Sequence, residues 1–169
     1  MTEGVRAVLS LGSNLGDRER NIREAVADIA AVAGVRIEAV SGLVETTAIK
    51  PSGIDVLAPA YLNAILQVIT TLDPKALLRA MNAIETRHGR VREVRWGDRT
   101  LDIDIVTVGD VCHDDEVLTL PHPRAAERSF VLVPWREIDP DAVLPGIGRI
   151  DGLPAASESV GRYPAEALS

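Results

Sequence analysis

The sequence predicts an α+β fold in which helices pack on a mainly antiparallel sheet. Three observations lead to this class: two stretches have the apolar period of a helix, four have the alternation or short apolar runs of strands, and turn residues separate them. The stretches follow the order strand, helix, strand, strand, helix, strand over about the first 110 residues. This βαββαβ order is typical of a ferredoxin-like sandwich.

The first three elements follow from apolar spacing. Residues 7–11 form a short apolar run closed by Gly12, which predicts a strand and then a polar loop. Asp17 is the expected N-cap of a helix that ends at Gly34, because apolar residues recur between them at steps of four, three and four. Residues 35–46 alternate well enough to predict the next strand.

The next three elements follow from turn residues and alternation. Residues 50–59 contain two prolines and a glycine and are expected to form a loop. Residues 61–72 alternate between two sets of side chains, which predicts a strand. Asp73 and Pro74 then open a second helix as N-cap and first helical residue, and residues 99–106 supply the fourth strand.

The remaining residues have weaker patterns. Residues 121–138 predict a loop followed by a helical or mixed segment, and the Ala, Ser, Gly and Pro content after Asp151 predicts a peripheral tail. The length of 169 residues fits one domain, 1–169, with residues 151–169 as that tail. We expect a monomer.

Composition excludes several classes of protein. The formal net charge of −7 argues against a general binder of nucleic acid or anionic membranes, since both need a positive field. The single cysteine, Cys112, excludes an internal disulfide and zinc sites built from several cysteines. No long apolar stretch predicts a signal peptide or a membrane span, so we expect a cytoplasmic protein.

Two carboxylates alternate with apolar residues in RTLDIDIV, residues 99–106. On a strand, Asp102 and Asp104 would face the same way about 6.5 to 7 Å apart. Carboxylate oxygens are hard ligands that select Mg²⁺ or Mn²⁺, so the pair predicts a metal site. The alternative is a solvent-facing strand whose charges prevent it from pairing with another strand, and an isolated pair of aspartates favours this alternative.

Five arginines within thirteen residues precede the carboxylates, although the protein is acidic overall. Guanidinium groups bind phosphate oxygens in a bidentate fork, so arginines beside paired aspartates predict a site for a nucleotide polyphosphate. The segment between Gly89 and Gly97 could also close over bound phosphates as a lid that excludes water. The alternative is a solvated loop whose arginines pair with Glu85, Glu93 and Asp98. The arginines are Arg87, Arg90, Arg92, Arg95 and Arg99.

Other motifs are less specific. GSNLGD, residues 12–17, lies between a strand and a helix as phosphate loops do, but it lacks their GxxxxGK[ST] pattern. His122 could donate to a phosphate or could be a turn residue beside two prolines, and His88 and His113 have no partner spacing. No Ser/His/Asp or Cys/His nucleophile set stands out.

Five segments in order resemble the 6-hydroxymethyl-7,8-dihydropterin pyrophosphokinase family over about Val5 to Ile138. The resemblance implies transfer of pyrophosphate from ATP to the hydroxymethyl group of that pterin, with release of AMP, in folate biosynthesis. It also implies two Mg²⁺ ions and ordered binding of ATP before the pterin. The segments are LGSNLGD, YLNA, GRVR, RWGDRTLDIDI and LPHPRAAERSFVLVP.

The resemblance implies a role for each matching position. The implied metal ligands are Asp102 and Asp104, which with Arg90 and Arg99 form the implied catalytic set. The implied ATP-binding residues are Glu85, Arg90, Arg92, Arg99, Thr119 and His122. The implied pterin-binding residues are Thr46, Tyr61, Asn63, Trp96, Arg128 and Phe130, with Tyr61 and Phe130 as the stacking pair and Trp96 in the lid.

The aromatic shortage fits this resemblance. Only five aromatic residues occur, and three of them, Tyr61, Trp96 and Phe130, match ligand-facing positions. A flat heterocycle is well held by stacking between rings, and the amide of Asn63 offers both a donor and an acceptor to its edge. Core filling is the alternative reading and suits Trp135 better.

Several positions depart from the family pattern. Asp98 stands where the family often has Pro, and the segment between Arg92 and Trp96 is one residue shorter than in some members. Val117 stands at a position that can be basic in other family members, and Pro123 stands where the family has a tyrosine after the histidine. These departures bear on lid dynamics and on ATP affinity.

Two other functions stay open at this point. The first is a nucleotidyltransferase, because Gly12 and Ser13 follow a strand and a pair of aspartates lies later in the chain. Its products would include pyrophosphate. A ferredoxin-like sheet can bind RNA, although the aromatic RNA-binding signature is missing and the net charge is negative.

Overall fold

The computed structural model describes residues 3–46, 49–50, 53–54, 60–89 and 100–163. Within these ranges the α-helices are α1 (Arg18–Ala30), α2 (Pro74–Arg87) and α3 (Ser129–Ile138). The first six strands are β1 (Val5–Ser13), β2 (Val35–Val40), β3 (Val44–Thr46), β4 (Ile49–Lys50), β5 (Gly53–Ile54) and β6 (Tyr61–Thr70). The other six are β7 (Asp102–Val108), β8 (His113–Asp114), β9 (Thr119–Leu120), β10 (Val143–Leu144), β11 (Gly148–Arg149) and β12 (Gly161–Arg162).

Six of these strands form one antiparallel sheet with β6 at its centre. One side of β6 pairs with β1, and β1 pairs in turn with β7, which forms an edge of the described sheet. The other side of β6 pairs with β2 toward its end and with β3 at its start, and β12 adds to β3. The order β7, β1, β6, β2 gives the ferredoxin-like sandwich that the element order predicted.

The first hydrophobic cluster lies between the sheet and the helices α1 and α2. Both helices begin at the predicted N-caps: Asp17 accepts a hydrogen bond from the backbone N–H of Arg20, and Asp73 accepts one from that of Ala76. Their apolar stripes are buried against the alternate side chains of β1 and β6, except that Leu78 of α2 is only partly buried. The largest buried members are Leu9, Leu11, Ile22, Ile29, Leu66, Met81 and Ile84.

The second cluster covers the opposite face of the sheet. There α3 packs Leu132 and Trp135 against Val8 and Ile65. The cluster ends along the sheet at about the level of Ile65, so the face beyond it, toward the start of β6, is left for the residues described below. Trp135 is 2% exposed, which agrees with its core-filling interpretation.

The predicted strand over residues 35–46 is divided into β2 and β3. The hydroxyl of Ser41 accepts the backbone N–H of Ile65, and the N–H of Ser41 donates to the carbonyl of Ile65. A side-chain oxygen therefore replaces a backbone acceptor at this point, and the chain leaves the regular ladder for residues 41–43. In the predicted loop over residues 50–59, the described parts pair as the short hairpin of β4 and β5.

The segment after Asp151 packs more closely than its composition suggested. Ala155 and Ala156 are each 4% exposed within the second cluster, and Tyr163 packs against the first. The strand β12 extends the sheet beside β3, and Arg162 pairs with Glu137 of α3. Residues 151–163 are therefore part of the packed structure, unlike the peripheral tail that the sequence predicted.

Candidate active site

Three strands place a carboxylate, a glycine and an amide in one row across the sheet. Gly12 of β1 pairs with Asp102 of β7 on one side and with Asn63 of β6 on the other. Directly paired residues of antiparallel strands face the same side of the sheet, so Asp102 and Asn63 flank a position with no side chain. A Cβ on Gly12 would lie 3.1 Å from Oδ1 of Asn63 and 3.4 Å from a ring carbon of Tyr61. We call the position between Asp102 and Asn63, where Gly12 has no side chain, the crevice. Sequence reasoning missed it because the pairing of Gly12 with Asn63 is visible only in the register.

The second aspartate lies in the next row on the same face. Asp104 pairs with Ser10, and Ile103 between the two aspartates is 3% exposed in the helix-side cluster. The alternation predicted from RTLDIDIV is therefore present, with both carboxylates partly exposed on one face. Nη1 of Arg128 lies 3.7 Å from Oδ2 of Asp104, and Nε2 of His122 lies 3.9 Å from it.

Glu85 contacts the strand that carries the aspartates. This α2 residue is 1% exposed, and its Oε2 accepts the backbone N–H of Ile103 at 2.9 Å. This bond holds β7 in place at the residue between the two aspartates, along the strand edge that faces away from β1. Glu85 is thus a buried support of the site in this structure, and its contact with ATP stays a prediction from the resemblance.

The hydrogen bonds of His122 determine its tautomer. Nδ1 accepts the backbone N–H of Arg124 at 3.2 Å, so in the neutral ring Nε2 carries the proton and is the donor near Asp104. Burial, followed by the positive charge of Arg128, lowers the pKa of His122 to about 4. At neutral pH the ligand-free imidazole is therefore uncharged and offers one N–H to the site.

The predicted pterin side is formed by adjacent residues of β3, β6 and α3. Thr46 pairs with Tyr61, and the Oγ1 of Thr46 accepts the Nδ2 of Asn63 at 3.0 Å. This bond sets the orientation of an amide that is only 4% exposed. At the start of α3, the guanidinium carbon of Arg128 lies 5.5 Å from the centroid of the Phe130 ring.

A cavity of about 530 Å³ opens along the outer edge of β7, within the usual volume range of small-molecule sites. One wall is α2 and the other is the turn between β8 and β9, with the predicted residues Asp104, Thr119 and His122 at its surface. Leu78 of α2 is partly buried against the first cluster and also lines this cavity. The remaining lining residues are Asn82, Ile103, Ile105, Glu116, Val117, Leu118 and Pro123.

The GSNLGD segment does not present a phosphate loop. Ser13 is fully buried and accepts Nδ2 of Asn21, which also donates to the carbonyl of Leu15. The first turn of α1 is capped by the carboxylate of Asp17, which would repel an anion there. The polar groups of this segment hold the end of β1 and the start of α1 together.

Part of the predicted site lies outside the described residues. This holds for Arg90, Arg92, Trp96, Asp98 and Arg99, and for the predicted lid between Gly89 and Gly97. Across the described ranges, no group of three or more His, Cys, Asp or Glu side chains could hold a metal by itself. Over the same ranges, no helix has the length and apolar character needed to cross a membrane.

The fold and the site define an α+β protein with paired carboxylates between a crevice flanked by an amide and a cavity of nucleotide size. The family model of 7,8-dihydro-6-hydroxymethylpterin-pyrophosphokinase (HPPK) matches residues 8–140. The chain belongs to this family, as its sequence motifs predicted.

Curated relatives agree with this assignment. A 2-amino-4-hydroxy-6-hydroxymethyldihydropteridine pyrophosphokinase of Synechocystis sp. is 40% identical over 143 residues, which cover 85% of this chain and 71% of the relative. The proteins of the same name from Methylorubrum extorquens and Bacillus subtilis are 43% and 44% identical; the matches cover 83% and 78% of this chain and 87% and 77% of the relatives.

A solved structure supports the fold. The HPPK-DHPS of Plasmodium falciparum superposes with a TM-score of 0.67 at 16% identity, over 89% of this chain. This chain spans 45% of that structure, so the likeness concerns the fold of the shared part.

Proposed function

We propose that this protein transfers pyrophosphate from ATP to the hydroxymethyl group of 6-hydroxymethyl-7,8-dihydropterin and releases AMP, in folate biosynthesis. Membership of the family supports this activity. The main structural support for this activity is the row formed by Asp102, Gly12 and Asn63. In this row a carboxylate of the kind that binds metal ions and an amide of the kind that binds heterocycles flank the crevice, and the cavity along β7 is large enough for a nucleotide.

Asp102 and Asp104 are proposed to hold two Mg²⁺ ions together with the phosphates of ATP. Their donor set fits the ion, because Mg²⁺ favours oxygen ligands and is usually held by one or two carboxylates that substrate phosphates complete. Bound Mg²⁺ supplies charge neutralisation of the phosphate oxygens in such a site. Ile103, fixed by Glu85, keeps the two carboxylates at a constant spacing on one face.

The nucleoside of ATP is proposed to occupy the cavity along β7. The N–H of Ile103 points to the outer edge, toward Glu85, so alternation directs the N–H and C=O of Ile105 to the same edge. These groups could bind the base by hydrogen bonds, with Leu78 and Leu118 providing apolar walls. Thr119 and the Nε2 proton of His122 are proposed to bind farther along the nucleotide, nearer Asp104.

The pterin ring is proposed to stack between Tyr61 and Phe130 in the crevice above Gly12. Thr46 engages the Nδ2 of Asn63, which leaves its Oδ1 turned toward the crevice as an acceptor for an amino group on the pterin edge. Arg128 lies between the ring of Phe130 and the carboxylate of Asp104, so it can bind near the junction of the two substrates. Trp96 is proposed to close over the pterin as part of the lid.

In the proposed reaction the pterin hydroxyl oxygen attacks the β-phosphorus of ATP. A new P–O bond forms, and the bond from the β-phosphorus to the bridging oxygen of AMP breaks in line with it. Arg90, Arg92 and Arg99 are proposed to bind the phosphate oxygens, and Asp104 is proposed to receive the hydroxyl proton. Positioning and charge stabilisation supply most of the catalysis in such transfers. We also propose that the protein acts as a cytoplasmic monomer.

The test incubates the purified protein with MgATP and 6-hydroxymethyl-7,8-dihydropterin and separates the nucleotide products by chromatography. We expect AMP and the pterin diphosphate in equal amounts, with no turnover when the pterin is omitted. Release of inorganic pyrophosphate in place of AMP would support the nucleotidyltransferase alternative. Absence of pterin-dependent turnover would contradict the proposal.

A further inference from the structure

One carboxylate outside the proposed catalytic groups has an unusually complete set of partners. Asp115 lies in the turn between β8 and β9, and its Oδ1 accepts the backbone N–H groups of Val117 and Leu118 at 2.8 Å each. Its Oδ2 lies 2.8 Å from Nζ of Lys75 and accepts Nε2 of His113 at 2.7 Å. We call Lys75, His113 and Asp115 the Asp115 clamp.

The two oxygens of Asp115 have different functions. An Asx turn needs only the Oδ1 bonds, which shape the loop locally. The contact of Oδ2 with Lys75 joins the turn to another element, because Lys75 belongs to the first turn of α2. The bond from His113 stays within the β8–β9 hairpin and orients Oδ2 for that contact. A cation at a helix N-terminus is unfavourable with respect to the helix dipole, so the carboxylate offsets a charge that would otherwise destabilise α2. The hydrogen bond from Lys75 is the largest cause that lowers the pKa of Asp115, ahead of the N–H of Leu118 and of His113.

The two elements that the clamp joins are the two walls of the nucleotide cavity. Residues 116–118 of the turn and Thr119 of β9 form one wall, and Leu78 and Asn82 of α2 belong to the other. Lys75, Leu78 and Asn82 follow one another at steps of three and four, so they lie on one face of α2. None of the three clamp side chains lines the cavity itself. The clamp therefore sets the separation of the walls without contacting what lies between them.

We propose that Lys75, His113 and Asp115 are positioning residues that hold the β8–β9 turn against α2 and thereby set the affinity for the nucleoside half of the nucleotide. This inference rests on the proposed function. It adds a determinant of nucleotide affinity that acts at a distance from the phosphates and from the pterin crevice. Removal of the clamp should weaken binding of the nucleoside and leave binding of the triphosphate moiety unchanged.

The experiment measures dissociation constants of the full chain by calorimetry for two probes with Mg²⁺: α,β-methylene ATP, which cannot be cleaved at the reacting bond, and inorganic tripolyphosphate. Lys75→Met should weaken binding of the nucleotide analogue about fivefold, the size expected for a partly exposed ion pair, with tripolyphosphate affinity within about twofold of wild type. Lys75→Arg should restore the analogue affinity. Arg20→Met, which removes a cation from the exposed Arg20–Glu24 pair on α1, is the matched control and should change neither value.

A double-mutant cycle tests whether Lys75 and Asp115 act together. Asp115→Asn keeps an oxygen for the turn, so we expect a similar loss of analogue affinity and no further loss in the double variant. At saturating ATP, kcat should stay within about twofold of wild type in Lys75→Met, so that the effect is confined to KM for ATP.

The outcomes separate this inference from the proposed function. If wild-type protein binds neither probe, the proposed function fails. If wild type binds the analogue and Lys75→Met binds it equally well, or loses affinity equally for tripolyphosphate, the clamp inference is wrong. If Asp115→Asn does not fold, the comparison of Lys75→Met with Lys75→Arg still decides the question.

Discussion

The two halves of the candidate site are built in different ways. The proposed pterin half stands on β6, the central strand, whose backbone is bonded to β1 on one side and to β3 on the other. The proposed nucleotide half stands on β7, an edge strand of the described sheet, and its walls are a helix and a turn between two strands of two residues each. Backbone ladders therefore position the crevice, whereas single side chains, Glu85 and Asp115, position the cavity. We expect mutations to affect the two halves by different mechanisms.

The largest effect is expected at the carboxylates where the two halves meet. Asp102→Asn or Asp104→Asn should lower kcat by about a thousandfold or more, because each removes a hard anionic ligand from the proposed metal site. The folded state should persist, since both side chains are partly exposed on the sheet surface. Steady-state kinetics with circular dichroism checks this prediction.

Asp141→Asn is the matched control for these variants, because Asp141 has an 84% exposed side chain and lies outside the site. It should retain full activity. Unchanged kcat in Asp102→Asn or Asp104→Asn would show that the two carboxylates only prevent the strand from pairing with another strand, which is the alternative interpretation of RTLDIDIV.

The second prediction tests the pterin half alone. Gly12→Ala should raise KM for the pterin by roughly tenfold, because the new methyl group would lie 3.1 Å from Oδ1 of Asn63 and crowd the floor of the crevice. KM for ATP should stay within about twofold. Gly42→Ala is the control, since a Cβ at Gly42 meets no atom within 4 Å. An equal rise of both KM values would contradict the separation of the two halves.

The third prediction concerns the pH dependence of stability at the nucleotide half. His122 has a pKa of about 4 in the folded chain and an ordinary value of 6.5, so the unfolded chain binds this proton more strongly. The stability associated with neutral His122 is therefore complete above pH 6.5 and is lost as the pH falls toward 4, by about 3 kcal/mol at most.

Urea unfolding between pH 7 and pH 4, without metal or nucleotide, measures this loss. His122→Asn should reduce the slope of the unfolding free energy against pH in that interval, since the amide does not titrate. A variant with the same slope as wild type would show that His122 titrates normally in the folded chain.

The same contrast explains what the sequence could predict. Local patterns predicted the capped helices at Asp17 and Asp73 and the shared face of Asp102 and Asp104, because periods of two and of about 3.6 residues are properties of short segments. The crevice at Gly12 could not be predicted, since it depends on the register of three strands that are distant in the chain. The bonds from Ile103 to Glu85 and from Lys75 to Asp115 were likewise invisible, because they join helix and edge residues without a common motif.

The smallest effect is expected where the pterin half depends on one side-chain bond. Thr46→Val keeps the shape of the side chain but removes the acceptor for Nδ2 of Asn63, so the amide can rotate and exchange its oxygen and nitrogen toward the crevice. Loss of one such bond is worth about 1 kcal/mol, which predicts roughly a fivefold rise in KM for the pterin. Thr107→Val, at a buried threonine on β7, is the control for the substitution and should leave that KM unchanged. Because β3 and β6 stay paired through their backbones, KM for ATP should hardly change, and the unfolding free energy should fall by about 1 kcal/mol through loss of the same bond. A larger effect on ATP than on the pterin would show that Thr46 supports the nucleotide half, and the division of the site drawn above would then be wrong.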